Sequence, residues 1–134
     1  MGDTLNYAAL DWVIGEIGDT LNDARESLEA YVEDPKDSSR IRFCLNYIHQ
    51  VHGSLKLVEF QGAAVFAGEM ELLAEAIRTK DVANEKEAQE VLMRSLLQLP
   101  IYLDQVKAFR EDHPGIVLPL LNDCLLYTSP SPRD

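Results

Sequence analysis

Two histidines three residues apart, followed at once by Gly and Ser, stand in the stretch "NYIHQVHGSLKLVEF", residues 46–60. These residue types suit a chemical role. An imidazole has an ordinary pKa near 6.5, so near neutral pH one ring nitrogen of His49 keeps a free electron pair and is a competent nucleophile toward a phosphoryl group. The product carries up to about two negative charges, and cations such as Arg42 and Lys56 would hold it by charge-assisted hydrogen bonds. Gly53, one turn after His49, removes a side chain beside the ring and opens it to a large partner. In a helix interior that Gly costs about 1 kcal/mol relative to Ala, which gives its position functional interest. The plain alternatives are an ordinary surface His49, a boundary His52 with a local hydrogen bond, and a Gly53 used for tight helix packing. A metal held by His49 and His52 with Glu69 or Glu71 is a further option. Carboxylate-bridged sites in bundles use Glu-x-x-His pairs from two helices, however, and the sequence has no such pair; neither metal nor cofactor is expected.

The element carrying these residues reads as a helix from about Ser39 to Val58. At about 100° per residue, Ile41, Cys44, Leu45, Ile48, Val51, Leu55 and Val58 form a core stripe. Arg42, Asn46, His49, Gly53 and Lys56 gather on another side, so His49 and Gly53 are expected in solvent and His52 near the boundary. No carboxylate occurs from Ser38 to Val58, although the chain holds 23 Asp and Glu, so this helix is locally basic in an acidic protein. Cys44, on the apolar stripe, is expected to be buried and inert.

Three further helices are expected around it. The first runs from about Thr4, a plausible N-cap, to Val32, with Leu5, Ala9, Trp12, Ile17, Leu21, Ala24, Leu28 and Tyr31 at helical spacing. Its Glu16, Asp19, Asp23 and Glu26 read as a solvated face, or as a surface for a basic partner. Pro35 breaks the pattern, and Asp37 or Ser38 can cap the second helix. A corner at Gly62 precedes a third helix, from about Ala63 to Thr79, with Val65, Met70, Leu73, Ala74 and Ile77 inward. The fourth starts near Glu85 behind an Asn84 cap and carries Ala88, Val91, Leu92, Leu96 and Leu99. Pro100 should kink or restart it before it ends near residue 112. Trp12, Phe43 and the Met residues are expected in the core or at its edge. Four amphipathic helices with short connections predict an all-α, antiparallel up-and-down bundle.

The net charge of −11 disfavours nucleic acid and anionic lipid. No apolar run is long enough to cross a membrane, and the N-terminus lacks a secretory signal pattern. Cys44 and Cys124 imply no disulfide framework, so a reducing, cytoplasmic compartment is expected. Residues 1–112 read as one bundle and 113–123 as a linker or the start of another helix. The final "CLLYTSPSPRD", residues 124–134, resembles a translated sequencing-library adapter, which implies a parent protein that continues past Asp123.

The string "HQVHGS" resembles the H-x-[LV]-[KR]-G-[SA] signature of histidine phosphotransfer domains, themselves four-helix bundles. The resemblance places His49 at the phosphorylated position, Gly53 at the small residue and Ser54 at the small position after it. His52 departs from the pattern, which has Lys or Arg there. Over about residues 1–123 the chain is similar to the N-terminus of the large chemotaxis-type hybrid kinases of type IV pilus twitching systems, the ChpA/PilL type related to CheA. It is also similar to FimL-type scaffolds of that system, whose phosphotransfer-like domain is not thought to carry phosphate. The first resemblance implies a phosphate carrier that takes its phosphoryl group from a kinase catalytic core and gives it to response-regulator receiver domains. The second implies a bundle that binds partners without phosphate. The fragment has no nucleotide-binding motif, so it is not expected to be a kinase alone.

Overall fold

The computed structural model describes residues 2–109, which form four helices: α1 (Gly2–Glu33), α2 (Ser38–Leu57), α3 (Gln61–Arg78) and α4 (Glu85–Phe109). Among the described residues there is no strand. Each helix packs on its neighbours in sequence and α4 closes back on α1, whereas the diagonal pairs do not meet. That ring of contacts, with connections of three to six residues, is the expected up-and-down four-helix bundle. The expected end of the fourth helix near 112, the segment 113–123 and the tail 124–134 lie outside the described residues.

Local signals fix where α2 and α4 start. Asp37 caps α2: its Oδ1 accepts from the backbone N–H of Ser39 at 3.1 Å, and its Oδ2 accepts from Arg40 Nε at 3.0 Å. The Ser39 and Arg40 contacts hold the Asp37 carboxyl below the usual carboxylate range. Asn84 caps α4, its Oδ1 accepting from the N–H of Glu87 at 3.1 Å.

The exits use left-handed residues that are not glycine. After α2, Glu59 has φ 62°, its N–H donates to the Lys56 carbonyl, and the Phe60 N–H reaches back to the Leu55 carbonyl. After α3, Lys80 has φ 61°, with matching bonds from Lys80 to Ile77 and from Asp81 to Ala76. Both are Schellman closures. The α2–α3 corner is therefore at Glu59 and Phe60, and Gly62, the expected corner, lies inside α3. Sequence reading favoured the glycine because a side chain in the left-handed region is usually penalised.

The core is apolar and continuous: Ile17, Leu21, Leu28, Ile48, Leu55, Phe66, Leu73 and Leu92 are all buried. Tyr31 is buried too, and its hydroxyl donates to Glu85 Oε2 at 3.2 Å while accepting from Lys80 Nζ at 3.0 Å, tying the end of α1 to the start of α4. Pro100 lies inside α4, which continues through it as one helix. Three packing expectations are corrected. Trp12, Phe43 and Val65 are 67%, 54% and 52% exposed. Each belongs to an apolar pattern, but the core seam on its helix is already filled by neighbours: Ile14 and Ile17, Ile41 and Cys44, Ala64 and Phe66.

Candidate functional site

The site is built on α2. Ile48 and Val51 are buried on its inner side, and burying each such aliphatic side chain contributes about 1.5–3 kcal/mol, which fixes the rotation of the helix. His49 then has to face outward, and its side chain is 72% exposed. His52, turned toward α3, keeps 27%. Arg42, Asn46, Gly53 and Lys56 are exposed with His49. A Cβ added at Gly53 would meet nothing within 4 Å, so the surface beside His49 is open and Gly53 is not a packing glycine. Ser54 turns the other way, into the groove that α2 forms with α1. The expected grouping of Arg42, Asn46, His49, Gly53 and Lys56 on one ridge is what α2 presents, with Ser54 on one flank and His52 on the other.

The partner of both histidines is a single carboxylate from α3. Nδ1 of His49 lies 2.7 Å from Glu71 Oε2, and Nδ1 of His52 lies 2.9 Å from Glu71 Oε1. An ionised carboxylate only accepts, so both imidazoles donate from Nδ1. Each oxygen of Glu71 thus holds one ring, and a half-buried acid crosslinks α2 to α3. His52 fits there because α3 carries Gly68 opposite it: a Cβ at that position would stand 3.2 Å from Cε1 and Nε2 of the His52 ring. Gly68 and Glu71, three residues apart on one flank of α3, are the site residues that the α2 sequence does not reveal. Glu71 surfaced in sequence only as one of two possible metal partners, and Gly68 not at all. Among the described residues no group of His, Cys, Asp and Glu side chains is arranged to hold a metal ion.

Chemically, the ridge offers a fixed, accessible imidazole with an open surface beside it. Lys56, with His52, Glu59 and Val65, lines a shallow groove between α2 and α3. The charged group in hydrogen-bond contact with His49 is a carboxylate: it raises the electron density at Nε2 and, as an anion, repels a dianion. Cys44 is buried, and burial pushes its thiol up to about 12, so it has no thiolate to offer at neutral pH. No helix among the described residues is long and apolar enough to cross a membrane.

The chain matches the FimL C-terminal domain over residues 6–125. It is 31% identical over 116 residues to "Scaffold protein FimL" of Pseudomonas aeruginosa, an alignment that covers 86% of this chain and 20% of that protein. The chain thus spans about a fifth of the length of that relative. No solved structure matches it. These findings overturn the expectation that His49 accepts and passes on a phosphoryl group, and they favour the scaffold alternative. The His-x-x-His-Gly-Ser string covers six residues of one helix, whereas the family match covers residues 6–125. On the family match, the chain belongs to the FimL C-terminal domain family.

Proposed function

We infer that this domain is a protein-interaction module of a scaffold and that the outer ridge of α2 is a surface on which a partner docks. The observation that carries this is the open surface at Gly53, set between His49 and Lys56 on a helix without carboxylates in a chain of net charge −11. A bare glycine lets a partner's backbone or side chain approach the helix closely. Arg42 and Lys56, each two turns from His49, supply positive charge at both ends of the contact. His49 is held by Glu71 and presents its remaining ring edge as a fixed polar feature. The name of the relative supports the same class of activity. The type IV pilus setting, the cytoplasmic location, and the kinase core and receiver domains as binding partners, contacted without phosphate transfer, belong to this proposal.

The test is a graft. The chain replaces the matching stretch of the Pseudomonas aeruginosa scaffold, and the proteins that co-precipitate are compared with those of the intact scaffold. The graft should recover the same set. Gly53→Arg should lose at least one member while keeping its helicity and unfolding midpoint, since Arg is a better helix former than Gly. Identical sets for the graft and its Gly53→Arg form would place the interface elsewhere. A graft that recovers no more than the scaffold with the stretch deleted would remove the interaction reading itself.

A further inference from the structure

A second exposed surface lies on the other flank of α2, where it meets α1. Trp12, Glu16 and Thr20 of α1 face Gln50, Ser54 and Leu57 of α2 across a groove. Farther along the same pair of helices, Asp23 and Glu26 face Phe43 and Tyr47. Three large apolar side chains are left in solvent along this seam: Leu57 at 84% exposure, Trp12 at 67% and Phe43 at 54%. From Trp12 to Ala30, another lining residue, α1 rises about 27 Å, the length of a helix of about 18 residues.

The two walls differ in charge. On α1 the groove residues Glu16, Asp23 and Glu26 are acidic, and the single cation of that helix, Arg25, is paired with Glu29 at 2.7 Å. Among the described residues, Glu16 and Asp23 enter no ion pair. On α2 the wall residues Phe43, Tyr47, Gln50, Ser54 and Leu57 are uncharged. Arg40, at the far end, is held by Asp37 at 3.0 Å. The groove thus has an apolar floor beside Trp12, where Val13, Ile17, Val51 and Val58 line it, a more polar far end beside Phe43, and one acidic rim.

We propose that the α1–α2 groove docks an amphipathic helix of a partner protein, with apolar residues on one face and Lys or Arg along one flank. Apolar anchors enter beside Trp12, Leu57 and Phe43, and the basic flank lies along Glu16, Asp23 and Glu26, the helix-in-groove mode of recognition. The net charge of −11 disfavours a second copy of this chain as occupant. This surface is separate from the α2 ridge, so the two stand or fall independently.

Trp12 is the one tryptophan of the chain and reports on the groove directly. The probes are three synthetic 18-residue peptides: a Leu-faced helix flanked by Lys, the same helix flanked by Glu, and a scrambled Lys peptide without an apolar face. The Lys-flanked helix alone should move Trp12 emission to the blue, saturably, and more weakly as salt rises. Glu16→Lys with Asp23→Lys should weaken it by about tenfold or more, while Gln98→Lys, exposed on α4, should leave it unchanged. Four results overturn the proposal: no shift with the Lys-flanked helix; equal binding by the scrambled peptide; a shift that grows with protein concentration alone, which makes a second copy the occupant; or a free chain already blue that turns red when residues 110–134 are removed, which makes the chain its own occupant.

Discussion

Replacing Gly53 or Gly68 by Ala tests the geometry around His52, because the two glycines lie on helices but differ in what surrounds them. Gly→Ala within a helix stabilises by about 0.5–1 kcal/mol when the added methyl has room. At Gly53 nothing lies within 4 Å, so the full gain is expected, about 2–4 °C in unfolding midpoint for a chain of this length. At Gly68 the methyl would stand 3.2 Å from two atoms of the His52 ring, against an ordinary carbon contact of about 3.5–4.0 Å. The ring must retreat by a few tenths of an ångström, and it is tethered through Nδ1 to Glu71 at 2.9 Å. Stretching that bond toward the limit of hydrogen-bond geometry costs about 1 kcal/mol, which cancels the helical gain. Urea unfolding should therefore show Gly53→Ala stabilised and Gly68→Ala near neutral, about 1 kcal/mol apart. In a His52→Ala background the obstruction is gone and Gly68→Ala should recover its gain, a coupling of about 1 kcal/mol in a double-mutant cycle. If Gly68→Ala stabilises as much as Gly53→Ala with His52 present, His52 does not pack on Gly68 and the clamp does not exist.

Two further outcomes are expected of the fold. Glu59→Gly should stabilise by about 1 kcal/mol in denaturant unfolding, since Glu59 occupies a left-handed conformation that glycine adopts without strain; Lys80→Gly should gain less, because it also removes the Lys80 contact to the Tyr31 hydroxyl. Alkaline stability should follow Cys44. Burial raises its thiol from 9.0 to about 12, so the folded state holds the proton after the unfolded chain has lost it; stability is fully present below about pH 9 and falls as pH rises toward 12. Thiolate absorbance of a Cys124→Ser chain, followed with pH in the folded and the urea-unfolded states, should show that separation, and coincident titrations would contradict it.

The legible part of the site is the part written on one helix. The α2 wheel yields the buried Ile41, Cys44, Ile48, Val51 and Leu55, the exposed His49 and Gly53, and the boundary position of His52, because a single helix has one rotation that buries its aliphatic stripe. The caps at Asp37 and Asn84 are legible for a similar reason: capping is local. The features that sequence does not disclose depend on two helices at once. Glu71 reaches His49 and His52 only because of how α3 is rotated against α2; the inward stripe of Met70, Leu73, Ala74 and Ile77 is legible on α3 alone, but the partner of its flank is not. Gly68 is meaningful only once the His52 ring lies across it. Residue type and spacing put Trp12 and Phe43 in the core or at its edge, yet neighbours on their helices already fill the seam. The functional expectation fails at a different level: the signature at His49 covers six residues of one helix, while the family match covers residues 6–125.

Site-specific photo-crosslinking tests most directly whether the ridge of α2 is a protein-docking face. A benzophenone amino acid is placed at Asn46 and at Lys56, exposed positions on either side of His49 and Gly53, and, as a reference, at Gln98, exposed on α4. The chain is carried in the grafted scaffold and irradiated in living cells. A docking ridge predicts adducts to the same protein from Asn46 and Lys56, absent from Gln98 and lost when Gly53→Arg is added. Adducts from Gln98 equal to those from the ridge, or none from either ridge position, would contradict it.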